Sequence, residues 1–258
     1  MIDLNVMVFT IDELMWFADN PGREKLFNVI KSSLTLVASA ALIAGCGGGG
    51  GDSGSSATTT TNYPLQAGFK ARISAGATDN FAITGTCAGT ATITTSSSSA
   101  STFETIAGFS AAQTITINLT NCVPATNAVS GTSYFDTNYT PLGFSVPGTE
   151  YVKFATLPPA IPASVKVGDT AVYATLNTYT DSTKTSATGQ RLLSYVIEAD
   201  TSNTVIANFI TKGYNSATQL LFTQQSRYRV AADGTLTISS IDVQYSTTST
   251  NHLLYTKT

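Results

Sequence analysis

Charge is scarce in this chain: Asp, Glu, Lys and Arg make up 11% of its 258 residues, and the formal net charge is −3. Thirteen basic residues against sixteen acidic ones leave no positive surplus to track a phosphate backbone, which excludes nucleic acid as a partner. His252 is the only histidine, and a general base or metal ligand there would need partners that the sequence does not place beside it. Beyond residue 46, Asp and Glu occur singly, with no Asp-x-Asp-x-Asp calcium loop and no G-x-S-x-G elbow. The glycine run 47–51 lacks the strand, Lys and helix of a phosphate loop. These absences argue against an enzyme and against any cofactor or metal. What the chain has instead is 42% hydrophobic residues, with polarity drawn mainly from Thr, Ser and Asn, a composition that favours strands and turns.

No apolar run reaches the roughly 20 residues that span a bilayer. From Lys31 the sequence reads KSSLTLVASAALIAGC: a positive flank, an apolar stretch from Leu34 to Ala44, then small residues, the layout of a secretory signal. Leu42-Ile43-Ala44-Gly45-Cys46 resembles a bacterial lipobox, in which a branched residue and two small ones let a peptidase cut just before a cysteine that is then lipidated. The resemblance implies a signal peptide over 1–45 and a mature chain anchored by acylated Cys46. Each buried methylene contributes about 0.8 kcal/mol, and the several chains on such a cysteine, palmitate among them, hold durably where one chain binds reversibly. In lipoproteins of this kind, Asp after the cysteine favours the inner membrane; Gly47 therefore points to the outer membrane. Residues 1 to about 25 form an unusually long, acidic n-region, which points to a true start near Leu26 or Val29; read as structure, they predict an amphipathic helix ending at Asn20-Pro21-Gly22.

Five acids and three basic residues precede Cys46, so the mature part holds ten basic against eleven acidic residues, about −1. Lipidating Cys46 leaves Cys87 and Cys122 as an even pair in an oxidising compartment, and a disulfide is expected. A metal pair or redox couple is the alternative, with neither a C-x-x-C spacing nor a nearby His to favour it. Residues 46–62, rich in Gly, Ser and Thr, read as a tether, leaving roughly 190 to 200 residues to fold.

Strand-like alternation begins at once. Thr114-Ile115-Thr116-Ile117-Asn118-Leu119-Thr120 places apolar residues at odd positions, one buried face and one wet. With strand-like stretches at 69–75, 80–94 and 103–109, residues 63–122 are predicted to form a small β module pinned by the disulfide. Residues 123–164 carry Pro124, Pro141, Pro147, Pro158, Pro159 and Pro162 among aromatics and read as an extended connector packed along the sheet. From residue 165 to 258 six strands are predicted, at 169–180, 190–200, 203–214, 218–232, 235–246 and 251–257. Asp233-Gly234 is a hairpin signal, and a parity shift from Leu236 and Ile238 to Ile241 and Val243 predicts a bulge at Ser239-Ser240. The expected fold is all-β, an antiparallel meander closed as a half-barrel or barrel, or laid out as a sandwich.

Candidate contacts are few. Arg227 and Arg229 fall on one side of a strand with Tyr228 on the other, a possible patch for anionic lipid or glycan. Gly51-Asp52-Ser53-Gly54 has the letters of the GDSG of chymotrypsin-like proteases, but it lies in the tether, away from any histidine. Leader, lipobox, glycine run and Thr-rich body together are similar to small proteobacterial outer-membrane lipoproteins with no assigned activity. The resemblance implies a non-enzymatic envelope protein that binds an amphiphile or other ligand. The alternative is a structural or adhesive surface module engaging proteins or glycans. An apolar concavity would favour the first; a cleft gathering Asp136, Asp169, Glu198, Arg227 and His252 would be needed for an enzyme.

Overall fold

A computed structural model describes residues 61–122, 125–246 and 252–258. The signal peptide, Leu42, Ile43, Ala44, Gly45, Cys46 and the tether up to residue 60 lie outside the described residues. Helix α1 (Leu65–Ala75) precedes strands β1 (Ala77–Gly85), β2 (Gly89–Thr95), β3 (Ser99–Phe103), β4 (Ile106–Leu119), β5 (Thr126–Asp136), β6 (Pro141–Val146) and β7 (Glu150–Phe154). Strands β8 (Thr170–Tyr179), β9 (Ala187–Thr201), β10 (Thr204–Asn215), β11 (Leu220–Ala231), β12 (Leu236–Tyr245) and β13 (His252–Lys257) complete the chain.

All pairings are antiparallel between neighbours in sequence, except that β13 returns to β1 and β2 pairs with β4. β2 and β3 share one edge of β4, β2 along residues 113–119 and β3 along 106–110. The sheet therefore closes into a twelve-strand barrel, which leaves no long exposed edge. Of the arrangements the sequence allowed, the barrel is the one observed.

Alternation sets the two faces of the wall. On β4, Ala111, Gln113, Ile115 and Ile117 are buried while Thr114, Thr116 and Asn118 face out. Outward Thr, Ser and Asn side chains bond across strands, as in Thr114 with Ser130 at 2.8 Å and Thr92 donating to Asn80 at 2.9 Å. Apolar-in and polar-out is the reverse of the lipid-facing band of a membrane-spanning barrel.

The interior is filled. Phe69 of α1 meets Phe209 and Tyr228 edge-on, with ring centroids 5.7 and 5.5 Å apart. Below that layer lie buried Thr211, Gln224 and Ser226. Deeper still, Arg191 is paired with Glu150 at 2.6 Å, its guanidinium over the rings of Phe144 and Phe222. Helix α1 closes one end. Gly68 packs so tightly against the β11–β12 turn that a Cβ there would lie 2.6 Å from the Gly234 carbonyl oxygen. Asp79 on β1 takes both Arg72 of α1 and Lys257 of β13. Up-and-down winding puts the β1–β2, β6–β7, β8–β9 and β10–β11 connections, the end of β4 and the start of β5 at the other end. The Cys87–Cys122 disulfide is also there, its Cα atoms 5.8 Å apart.

Two expectations are corrected. Residues 65–75 form a helix, not a strand at 69–75: Leu65, Phe69 and Ile73, four apart, are its buried face. Residues 123–164 are no connector, because they hold β5, β6 and β7. Pro141 opens β6 and Pro147 follows it, positions where a strand loses no ladder donor. The module at 63–122 is accordingly continuous with the rest of one sheet.

Candidate functional site

The outer face of β5 to β10, toward the disulfide end, carries a strip of aromatic side chains. Register aligns Tyr134, Gly143, Lys153, Asn177, Gln190 and Tyr214 in one row. A second row aligns Ser145, Tyr151, Tyr179 and Ala187. Phe103 joins them from outside. The β3–β4 turn is two residues long, and its Glu104 and Thr105 have φ of 48° and 72°, the positive pair of a type I′ hairpin. This turn lays Phe103 between the rings of Tyr134 and Tyr151, stacked at 4.4 and 5.5 Å. Gly143 leaves the space, since a Cβ there would come within 2.8 Å of the Phe103 ring.

Charge closes this end of the strip. Lys184 and Lys153 donate to the two oxygens of Glu104 at 2.7 and 2.9 Å, and the Tyr151 hydroxyl donates to it at 2.6 Å. The Lys184 and Tyr151 bonds, with Lys153, hold the Glu104 carboxyl down at about 2. Burial, then the bond to Glu104, pushes the Tyr151 hydroxyl well above the ordinary phenol range.

At its other end the strip opens into a groove of about 580 Å³ lined by Asn177, Tyr179, Ala187, Gly189, Gln190, Tyr214, Asn215, Ser216 and Thr218. No lining residue carries a charge. The groove is preformed. The Gln190 amide donates to Asn177 at 3.1 Å, and the Asn215 side chain accepts from the Ala217 and Gln219 amides at 3.0 and 2.9 Å, fixing the β10–β11 turn. Gly189 lets β9 and β10 close up, because a Cβ there would sit 2.0 Å from the Tyr214 carbonyl oxygen. Two phenol rings beside several amides and hydroxyls offer a flat apolar face together with groups that both donate and accept.

The residues singled out from sequence lie elsewhere. Arg227 and Arg229 share the outer face as expected, but each is tied to a β9 carboxylate, Arg227 to Glu198 and Arg229 to Asp200 at 2.7 Å. Tyr228 is fully buried between Phe69 and Phe209, so it belongs to the core and not to the outer face that Arg227 and Arg229 share. His252 meets Asp242 at 2.9 Å on the barrel surface. Asp136 caps the β5–β6 turn through Asn138 and Thr140, and Asp169 binds the Lys166 amide. Glu198 and Arg227 thus meet, while Asp136, Asp169 and His252 are held in separate local arrangements. Among the described residues, no three of His, Cys, Asp and Glu gather to hold a metal.

Asn177, Tyr179, Gln190 and Tyr214 escaped the sequence reading. Their signal was tyrosine and amide side chains at the wet positions of strands, next to the turn signals Asp181-Ser182 and Tyr214-Asn215-Ser216. Compared with protein-family models, curated proteins and solved structures, the chain has no significant match.

Proposed function

We propose that the chain is a lipid-anchored, non-enzymatic protein of the outer membrane that binds a neutral glycan in the groove between Asn177 and Tyr214. The groove's chemistry carries the reading. Sugar rings present apolar C–H faces suited to Tyr179 and Tyr214, and hydroxyls that pair with amides able to donate and accept, such as Asn177 and Gln190. An enclosed amphiphile fits less well, because α1 and the inward side chains occupy the barrel's interior. The non-enzymatic reading is supported by the carboxylates, of which Asp79, Glu104, Glu150, Glu198 and Asp200 are each engaged by Arg or Lys.

An open groove with two aromatic platforms implies modest affinity. Isothermal titration with cellohexaose and chitohexaose tests it. Saturable binding of one probe is expected, weakened about tenfold by Tyr214→Ala, the equivalent of about 1.4 kcal/mol. Absence of binding by both, or a Tyr214→Ala protein that binds as the parent does, overturns the reading.

A further inference from the structure

Among the described residues, large apolar side chains stand exposed at three places, Leu157 (67%), Val167 (53%) and Val172 (71%). All three belong to one stretch, the β7–β8 connection and the start of β8. The chain beyond β7 continues along β8, the Ala155 amide donating to the Thr175 carbonyl at 3.0 Å, which carries Leu157 toward Val172. The other apolar side chains on the outer wall are partly covered, as Leu192, Val196 and Ile210 are, so three largely exposed ones on a single stretch are a departure that burial does not explain.

The described chain enters at the same place. Tyr63 and Val165 exchange backbone hydrogen bonds of 2.8 and 2.9 Å, two residues from Val167. The described chain therefore begins beside the patch. Lys166, exposed between Val165 and Val167, supplies a cation for lipid phosphates with a stem able to lie along apolar surface. The groove is at the opposite end, among the β8–β9 and β10–β11 connections.

We propose that Leu157, Val167 and Val172, with Lys166, form a bilayer-contact surface that seats the helix-closed end on the membrane and turns the groove outward. The proposal rests on the reading of Cys46 as the lipid anchor. Tethering raises the effective concentration of bilayer at the patch, so three side chains suffice where they would not recruit a free protein.

The only tryptophan, Trp16, precedes Cys46, so the processed protein offers a dark background for a single introduced indole. Processed Leu157→Trp, Val172→Trp and Tyr214→Trp proteins are reconstituted into phosphatidylethanolamine–phosphatidylglycerol vesicles with or without nitroxide-labelled lipid. The expected result is a blue-shifted emission for Leu157→Trp and Val172→Trp, quenched several-fold more strongly than Tyr214→Trp. Equal quenching at all three positions overturns the surface, as does a blue shift that follows protein concentration without lipid quenching, which would place a second copy on the patch. A protein that fails to float with vesicles overturns the anchor instead.

Discussion

Glu104 brings together parts of the chain that are far apart: Tyr151 lies 47 residues on and Lys184 lies 80 on. Its carboxyl is held at about 2, below the ordinary 4.5. A depressed carboxylate stabilises the fold in its ionised form; that contribution is complete above about pH 4.5 and is lost as pH falls through about 2. Glu104→Gln is expected to lower stability by about 1 to 2 kcal/mol at pH 7, kept modest by solvent around the partly exposed lysines. Urea denaturation across pH checks this, with the gap between variant and parent closing as pH approaches about 2. An effect unchanged with pH would assign the loss to packing of the β3–β4 turn. None of this was legible in the sequence, where Glu104 is one isolated acid and its partners belong to stretches read as connector and turn. Arg227 and Arg229 were legible in orientation but not in pairing, because alternation fixes the face of a side chain and says nothing of the carboxylates of β9 beside it.

Among elements, those read best from sequence are the ones with strict alternation and short turns. The stretches expected at 190–200, 203–214 and 235–246 correspond to Ala187–Thr201, Thr204–Asn215 and Leu236–Tyr245. The register jump opposite Arg227 and Tyr228 leaves Ser239 unpaired within the expected bulge. Helix α1 was misread because Phe69 and Ile73 are four apart in a run too short to separate helix from strand, and its burial comes from a barrel assembled by residues far downstream. The strands β5 to β7 were masked by prolines, of which Pro141 and Pro147 sit at the two ends of β6 and Pro158, Pro159 and Pro162 lie between β7 and β8. The disulfide was legible from cysteine parity, but its place was not. Cys87 follows β1 and Cys122 follows β4, so the bridge staples the β2–β4 seam where the sheet meets itself. Replacing both by serine is expected to cost about 3 to 4 kcal/mol. Native-state hydrogen exchange should then speed up first in residues 89–95 and 113–119 and only later in β9 and β10. Uniform acceleration would mean that the bridge acts on the unfolded chain alone.

At the scale of the molecule, the barrel has two unlike ends. One is closed by α1, receives the chain at Tyr63 and shows apolar side chains to its surroundings. The other carries the disulfide and an uncharged groove edged by tyrosines. In the proposed function, that polarity sets the Cys46 anchor on one side and the glycan groove on the other, with buried side chains between them. Native mass spectrometry of the protein extracted from bacterial membranes is the most direct measurement of this account. It predicts a chain beginning at Cys46, heavier by a diacylglyceryl group and an amide-linked acyl chain, lighter by the hydrogens lost in the Cys87–Cys122 bridge, and releasing no lipid on activation. An unacylated chain, or one that gives up a bound amphiphile as it is activated, would contradict it.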